Sequence, residues 1–290
     1  MRIKEITSPQ NPLIKDFAQL LTKSKERRRQ GIFLIEGFRE VERALSTGYP
    51  IKSLLYCPVR TSVADVEALL NRSQKTWTAL NPKEIQHIHC SEKAFAKVAY
   101  RSEITNIVAV AERVERTQAD LLLKLKHDQE QNDKDQPMIL ILEGIEKPGN
   151  LGAILRSADA FGVDAVILVN CSAELEHPNS LRNSLGAALA LPIIELGLSH
   201  CVELLEQLEI PLYVTHLNAE SLPPTELALQ QACALVLGAE ATGASDDWFK
   251  AQPQAQAVLI PMVEQRVVDS LNVSVAAAVV LYEVNRQRTL

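Results

Sequence analysis

The chain has 290 residues, 47% apolar and 23% charged, which is room for one large domain or two ordinary ones with a real core. A net charge of −6 argues against a uniformly basic nucleic-acid binder, and 4% aromatic residues argues against binding by stacking platforms. Five scattered cysteines (Cys57, Cys90, Cys171, Cys201 and Cys233) form no C-x-x-C pair, so the sequence predicts reduced thiols and neither a disulfide framework nor a zinc site.

The charge is uneven. Residues 1–30 hold eight basic side chains against three acidic ones, so the remainder is strongly acidic. Met1 to Glu5 carries no apolar signal region, and no apolar run approaches membrane-spanning length; a soluble, cytoplasmic protein is expected.

In chain order, residues 11–22 read as a helix with Leu13, Ile14, Phe17, Leu20 and Leu21 on one face. A basic run follows at 23–29. Next come a strand at 32–35, a turn at Glu36-Gly37, and a helix bearing Val41, Ala44 and Leu45. A strand at 51–57, a helix at 63–70 and a closing strand at 107–111 complete a small α/β unit, residues 1–112. His87-x-His89-Cys90 offers too few ligands for a metal site, and no metal is expected. Residues 113–136 begin with a short leucine-rich helix and then turn wholly polar from Lys126 to Gln136, which reads as a flexible linker.

From residue 137 to 290, short apolar runs alternate with helical ones. Strands are predicted at 138–142, 165–169, 212–215, 235–237 and 258–260, and helices at 150–161, 181–189, 201–208 and 271–287. This alternation predicts a mostly parallel sheet covered on both faces, with ligands at the strands' carboxyl ends.

Three strand-to-helix junctions concentrate polar and glycine residues. The first runs from Glu143 through Asn150, a natural N-cap, to Arg156. The second is Gly238-Ala239-Glu240-Ala241-Thr242-Gly243, where glycines permit close approach of backbone to a ligand. The third leads from Ile260-Pro261-Met262 to Ser270-Leu271-Asn272-Val273-Ser274, with Ser270 placed to cap a helix that is apolar nearly all round. Neither G-x-G-x-x-G nor a Walker A lysine pattern is present, so a dinucleotide or nucleoside triphosphate site lacks its fingerprint.

Together, Asn150-x-Gly152-x-x-x-Arg156, Gly238-x-Glu240-x-x-Gly243 and Ile260-Pro261-Met262 leading to Ser270-Leu271-Asn272-Val273-Ser274 resemble the motifs of the SpoU (TrmH-like) RNA ribose 2′-O-methyltransferases of the SPOUT superfamily. Residues 6–15 and Phe33-Leu34-Ile35-Glu36-Gly37 similarly resemble the RNA-binding domain often fused ahead of that catalytic domain. The resemblance covers nearly all the chain except the linker. It departs at Val263-Glu264-Gln265-Arg266-Val267-Val268-Asp269, longer than the family's usual loop and without its glycine.

The resemblance implies an α/β trefoil-knot catalytic domain with a mostly parallel sheet, a smaller N-terminal α/β RNA-binding domain, S-adenosylmethionine as methyl donor, and a homodimer formed through the final helix. It implies catalytic roles for Asn150, Arg156, Ser270 and Asn272, and cofactor contacts at Leu237, Gly238, Glu240, Gly243, Ile260, Met262 and Leu271. Arg156 is expected to clamp a phosphate and stabilise the developing alkoxide, because a guanidinium does not readily give up its proton. Glu240 is expected to brace the loops and Asn150. Lys23, Lys25, Arg27, Arg28 and Arg29 are expected to contact RNA phosphates. Ribosomal RNA is the favoured substrate and tRNA the alternative within the class; a non-catalytic knotted RNA-binding protein is the alternative outside it, resting on the altered loop.

Overall fold

The computed structural model describes residues 3–289, apart from 74–83, 102, 133–135, 219, 241, 264–266, 268 and 269. By contact it divides into two compact units, residues 1–114 with 174–190, and residues 115–173 with 191–290.

In the first unit, β1 (Ile3–Ile6) leads to α1 (Pro12–Thr22), whose N-cap Asn11 accepts a hydrogen bond from Leu13 N at 3.0 Å. α1 buries Ile14, Phe17, Leu20 and Leu21, the spacing of one helical face. The basic run forms a helix of its own, α2 (Ser24–Gln30), ended by Gly31 in the left-handed conformation. Then come β2 (Ile32–Glu36), α3 (Phe38–Ser46), β3 (Ile51–Tyr56), α4 (Val63–Ser73), β4 (Gln86–Cys90), α5 (Glu92–Val98) and β5 (Ile107–Glu112). The sheet order is β1-β4-β3-β5-β2, with β5 antiparallel to both neighbours and the rest parallel. β1, β4 and α5 lie outside the sequence-predicted elements. The histidines on β4 break the apolar pattern, because Tyr56 Oη bridges His87 Nδ1 at 3.3 Å and His89 Nε2 at 2.9 Å.

The second unit opens with α6 (Gln118–Asn132). Its backbone stays helical into the stretch expected to be a flexible linker, while Leu121 and Leu125, one turn apart, bury themselves in the unit's core. Residues 133–135 of that stretch lie outside the described residues. β6 (Met138–Glu143) is followed by α7 (Pro148–Ala160) and β7 (Ala165–Val169). The chain then passes through α8 (Pro178–Asn183) and α9 (Ala187–Ala190), both counted with the first unit. The predicted single helix at 181–189 is split there by left-handed Leu185 and Gly186. The second unit resumes with β8 (Ile193–Glu195), α10 (Leu198–Gln207), β9 (Leu212–Thr215), β10 (Cys233–Leu237), α11 (Asp247–Ala251), β11 (Gln256–Val258) and α12 (Val273–Thr289).

The sheet order in this unit is β11-β9-β10-β6-β7-β8, and every described pairing is parallel. The central strands are buried along their whole length, as a sheet covered on both faces requires. From β6 the chain moves outward through β7 to β8, then crosses to the other side for β9 and β10. The order therefore reverses between β6 and β10, and ligands of open parallel sheets bind at such a switch point. β11 stops at Val258 rather than Ile260, because Leu259 N turns to Leu222 O at 2.9 Å.

Candidate active site

The carboxyl ends of β6 and β10 lie side by side, with Leu142 opposite Leu237. The loop after β10 is folded back on itself. Gly243 N donates to Ala239 O at 3.0 Å, and Gly243 is left-handed at φ +70°. A Cβ on Gly238 would fall 1.9 Å from Ala244 N and 2.0 Å from Gly243 C, so only glycine fits there. The fold of this loop is fixed from β6. Glu143, the last residue of that strand, accepts from Ser245 N at 2.9 Å and from Nε1 of fully buried Trp248 at 2.8 Å.

Three loops meet through one hydrogen-bonded chain. Asn150 Nδ2 donates to Glu240 Oε1, and Asn150 Oδ1 accepts from Asn272 Nδ2 at 3.3 Å. Asn272 Oδ1 in turn accepts from Ser274 N at 3.0 Å and Ser274 Oγ at 2.6 Å. Each amide both gives and receives, so the orientation of both asparagines is determined. Residues 90 and 122 positions from Asn150 are thereby joined at the switch point.

This geometry revises two capping assignments. Asn150 is not the N-cap of α7: Pro148 begins the helix after Lys147, and Asn150 turns its side chain to Glu240 and Asn272. Ser270 is not the N-cap of α12 either. It is an exposed bend residue, and Asn272 caps the helix by accepting from Ser274 N.

Residues 137–282 match the model of the SpoU rRNA Methylase family, and residues 11–109 match that of an MRM3-like substrate binding domain. The chain belongs to the SpoU rRNA methylase family. A relative in Bacillus subtilis, named 23S rRNA (guanosine(2553)-2′-O)-methyltransferase RlmP, is 30% identical over 97% of this chain and 98% of its own length. A crystal structure of an RNA 2′-O ribose methyltransferase is 36% identical, covers 99% of this chain and 100% of its own, and has a TM-score of 0.75. An AdoMet-bound rRNA methyltransferase from Sinorhizobium meliloti is 25% identical over 98% of both chains, with a TM-score of 0.78.

The other SpoU motif residues are placed as follows. Leu237 and Gly238 are buried at the end of β10, Ile260 is half-buried, and Met262 and Leu271 are exposed beside the start of α12. Of the glycine-free loop, Val263 and Val267 are exposed, while Glu264, Gln265, Arg266, Val268 and Asp269 lie outside the described residues. Arg156 is exposed on α7, about 9 Å further along the helix axis than Asn150 and on a different face. It has no hydrogen bond to the Glu240–Asn150–Asn272 chain.

Of the basic run, Lys23, Lys25, Arg28 and Arg29 are exposed, and Arg29 is paired with Glu26 at 2.7 Å. Arg27 leaves the phosphate-binding set. It is 1% exposed, and its guanidinium is spent on Leu20 O and the Glu174 carboxylate. Glu143 went unassigned in the sequence because nothing local marks it; its partners lie 102 and 105 residues away. Among the described residues no group of three His, Cys, Asp or Glu side chains could hold a metal ion.

Proposed function

We propose that the chain is an S-adenosylmethionine-dependent ribose 2′-O-methyltransferase acting on ribosomal RNA. The observation that carries this is the Glu240–Asn150–Asn272 chain, which draws three motif loops together where a parallel sheet receives ligands. RlmP is named for 2′-O-methylation of 23S rRNA, and the Sinorhizobium meliloti structure is described as AdoMet-bound, which supports the substrate and the cofactor.

The donor set fits the cofactor. An adenosine needs backbone amides and carbonyls at strand ends rather than charged side chains, and Leu237, Gly238, Ile260, Met262 and Leu271 offer them, with Gly243 shaping the loop. S-adenosylmethionine, when bound, supplies a methyl group already activated on a sulfonium. What remains for the protein is to aim the ribose hydroxyl and support the charge that develops on it. Asn150, Asn272 and Ser270 fix the ribose side of the pocket, and Glu240 braces Asn150. Arg156, exposed and without an ion pair among the described residues, holds the adjoining phosphate and stabilises the 2′-oxygen as its proton passes to phosphate or water.

In this reading residues 1–112 bind RNA, with Lys23, Lys25, Arg28 and Arg29 on phosphates, and 113–136 connect to a catalytic domain at 137–290. The loops after β10 and β11 make the trefoil knot. α12 packs on α7 and leaves Val275, Val279 and Tyr282 exposed in a helical stripe, the face through which the chain forms a homodimer. The five cysteines are free and scattered, the pattern of a protein in a reducing cytoplasm.

The Arg156→Ala variant tests the assignment. Methyl transfer should fall at least ~100-fold, the loss typical for removing one charge-stabilising donor, with S-adenosylmethionine affinity changed less than threefold. An equal loss of both would assign Arg156 to the cofactor pocket instead.

A further inference from the structure

We infer that a cavity in the first unit, between the start of α3, the residues Tyr100, Arg101, Ile104 and Thr105, and α8, is a subsite for one unpaired nucleotide of the RNA substrate. The inference rests on the reading of the chain as an RNA methyltransferase and adds a place of contact outside the methyl-transfer site. The cavity has a volume of about 170 Å³, room for one flipped base with its phosphate and too little for a duplex.

Three arginines line it: Arg39, Arg101 and Arg182. Arg39 is paired with Glu40 at 2.8 Å. The guanidinium groups of Arg101 and Arg182 have no hydrogen-bond partner among the described residues, and Arg182 is half-buried. A half-buried guanidinium that makes no hydrogen bond gains from an anion that accepts one. The Glu36 carboxylate acts on Arg182 by charge, but its hydrogen bonds go elsewhere. Its oxygens accept from Tyr100 N, from Arg101 N at 3.4 Å and from Thr105 Oγ1 at 2.9 Å, which ties them to those residues.

Beside the arginines lie two apolar surfaces, Tyr100 at 44% and Ile104 at 65% exposure. The Tyr100 ring stands edge-on to His177, with ring centres 6.5 Å apart, and so presents a fixed face. Cationic groups for a phosphate next to a fixed ring for a base are what a single nucleotide requires; a folded acidic protein surface would use the arginines and leave the ring idle.

The experiment is RNA binding by the full chain across a salt series, using an rRNA fragment that the wild type methylates. Arg182→Ala should weaken binding about tenfold and reduce the salt slope by about one released counterion. Tyr100→Ala should also weaken it about tenfold but leave the slope unchanged, since stacking releases no ions. S-adenosylmethionine affinity should stay within twofold in both. Arg101→Ala, on an exposed loop, repeats the test if Arg182→Ala fails to fold. Changes below twofold in all variants overturn the subsite. So does a loss confined to binding of a free nucleoside 5′-monophosphate or inorganic phosphate, which would make the cavity a small-anion site. A wild type that binds S-adenosylmethionine but neither binds nor methylates any rRNA fragment removes the underlying reading, an outcome distinct from unaffected variants on a protein that methylates.

Discussion

Gly238→Ala isolates the part of the site that depends on space alone. The added methyl carbon would sit 1.9 Å from Ala244 N, 2.0 Å from Gly243 C and 2.3 Å from Gly243 O, all backbone atoms that no rotamer change can clear. The loop must retreat by about 1.5 Å to restore ordinary contact, and overpacking of this kind costs about 1–3 kcal/mol. The same movement strains the Ser245 N–H bond to the Glu143 carboxylate, which adds about 1 kcal/mol or more. A loss of about 2–4 kcal/mol should lower the urea midpoint by roughly 1 M or more. Glu240 travels with the loop, so S-adenosylmethionine affinity measured by calorimetry should fall about tenfold or more, equivalent to about 1.4 kcal/mol. Gly243→Ala is the control. No atom lies within 4 Å of its Cβ position, so it bears only the left-handed backbone penalty of about 1–2 kcal/mol. Wild-type stability and affinity in Gly238→Ala, or greater harm from Gly243→Ala, would show that this close approach does not shape the site.

Glu143→Ala strands the Trp248 and Ser245 donors and should destabilise by about 2–4 kcal/mol, with a change in tryptophan emission; retention of the wild-type denaturation midpoint would show that Glu143 anchors nothing. Arg27→Ala leaves Glu174, 8% exposed, without its cation and should cost about 3–5 kcal/mol. Burial raises the Glu174 carboxyl, but the hydrogen bonds and charge of Arg27 outweigh it, so the folded-state value lies below the ordinary 4.5. The stability this pair contributes is therefore full above about pH 4.5 and lost as pH falls through the lower folded value. Denaturation of wild type and Arg27→Ala should accordingly converge in acid, and a gap that is constant with pH would contradict the pairing. Val275→Asp, in the exposed α12 stripe, should convert the proposed dimer to monomers by light scattering, with a wild-type dimer mass retained in the variant arguing for an interface elsewhere.

Alternation of apolar runs with helical periods made the parallel sheet legible, and the three motifs fall on loops that the fold joins by hydrogen bonds. What stayed hidden is mostly long-range. Lys126 begins a polar stretch, yet the helix continues because Leu121 and Leu125 have a core to enter, which composition cannot reveal. Asn272, rather than Ser270, caps α12 because its amide is held in place by Asn150, 122 residues earlier. Arg27 looks like its exposed neighbours in a run of charges, and only the fold brings Glu174 to it. Glu143 and Trp248 are ordinary residues until β6 and α11 are placed together.

The most direct measurement is transfer of isotopically labelled methyl from S-adenosylmethionine to 23S rRNA by the purified chain, followed by alkaline hydrolysis and nucleotide mapping. The account predicts label on a ribose 2′-oxygen at one position, recovered as an alkali-resistant dinucleotide and absent with Arg156→Ala. Label on a base, or none from a protein that binds both cofactor and RNA, would contradict it.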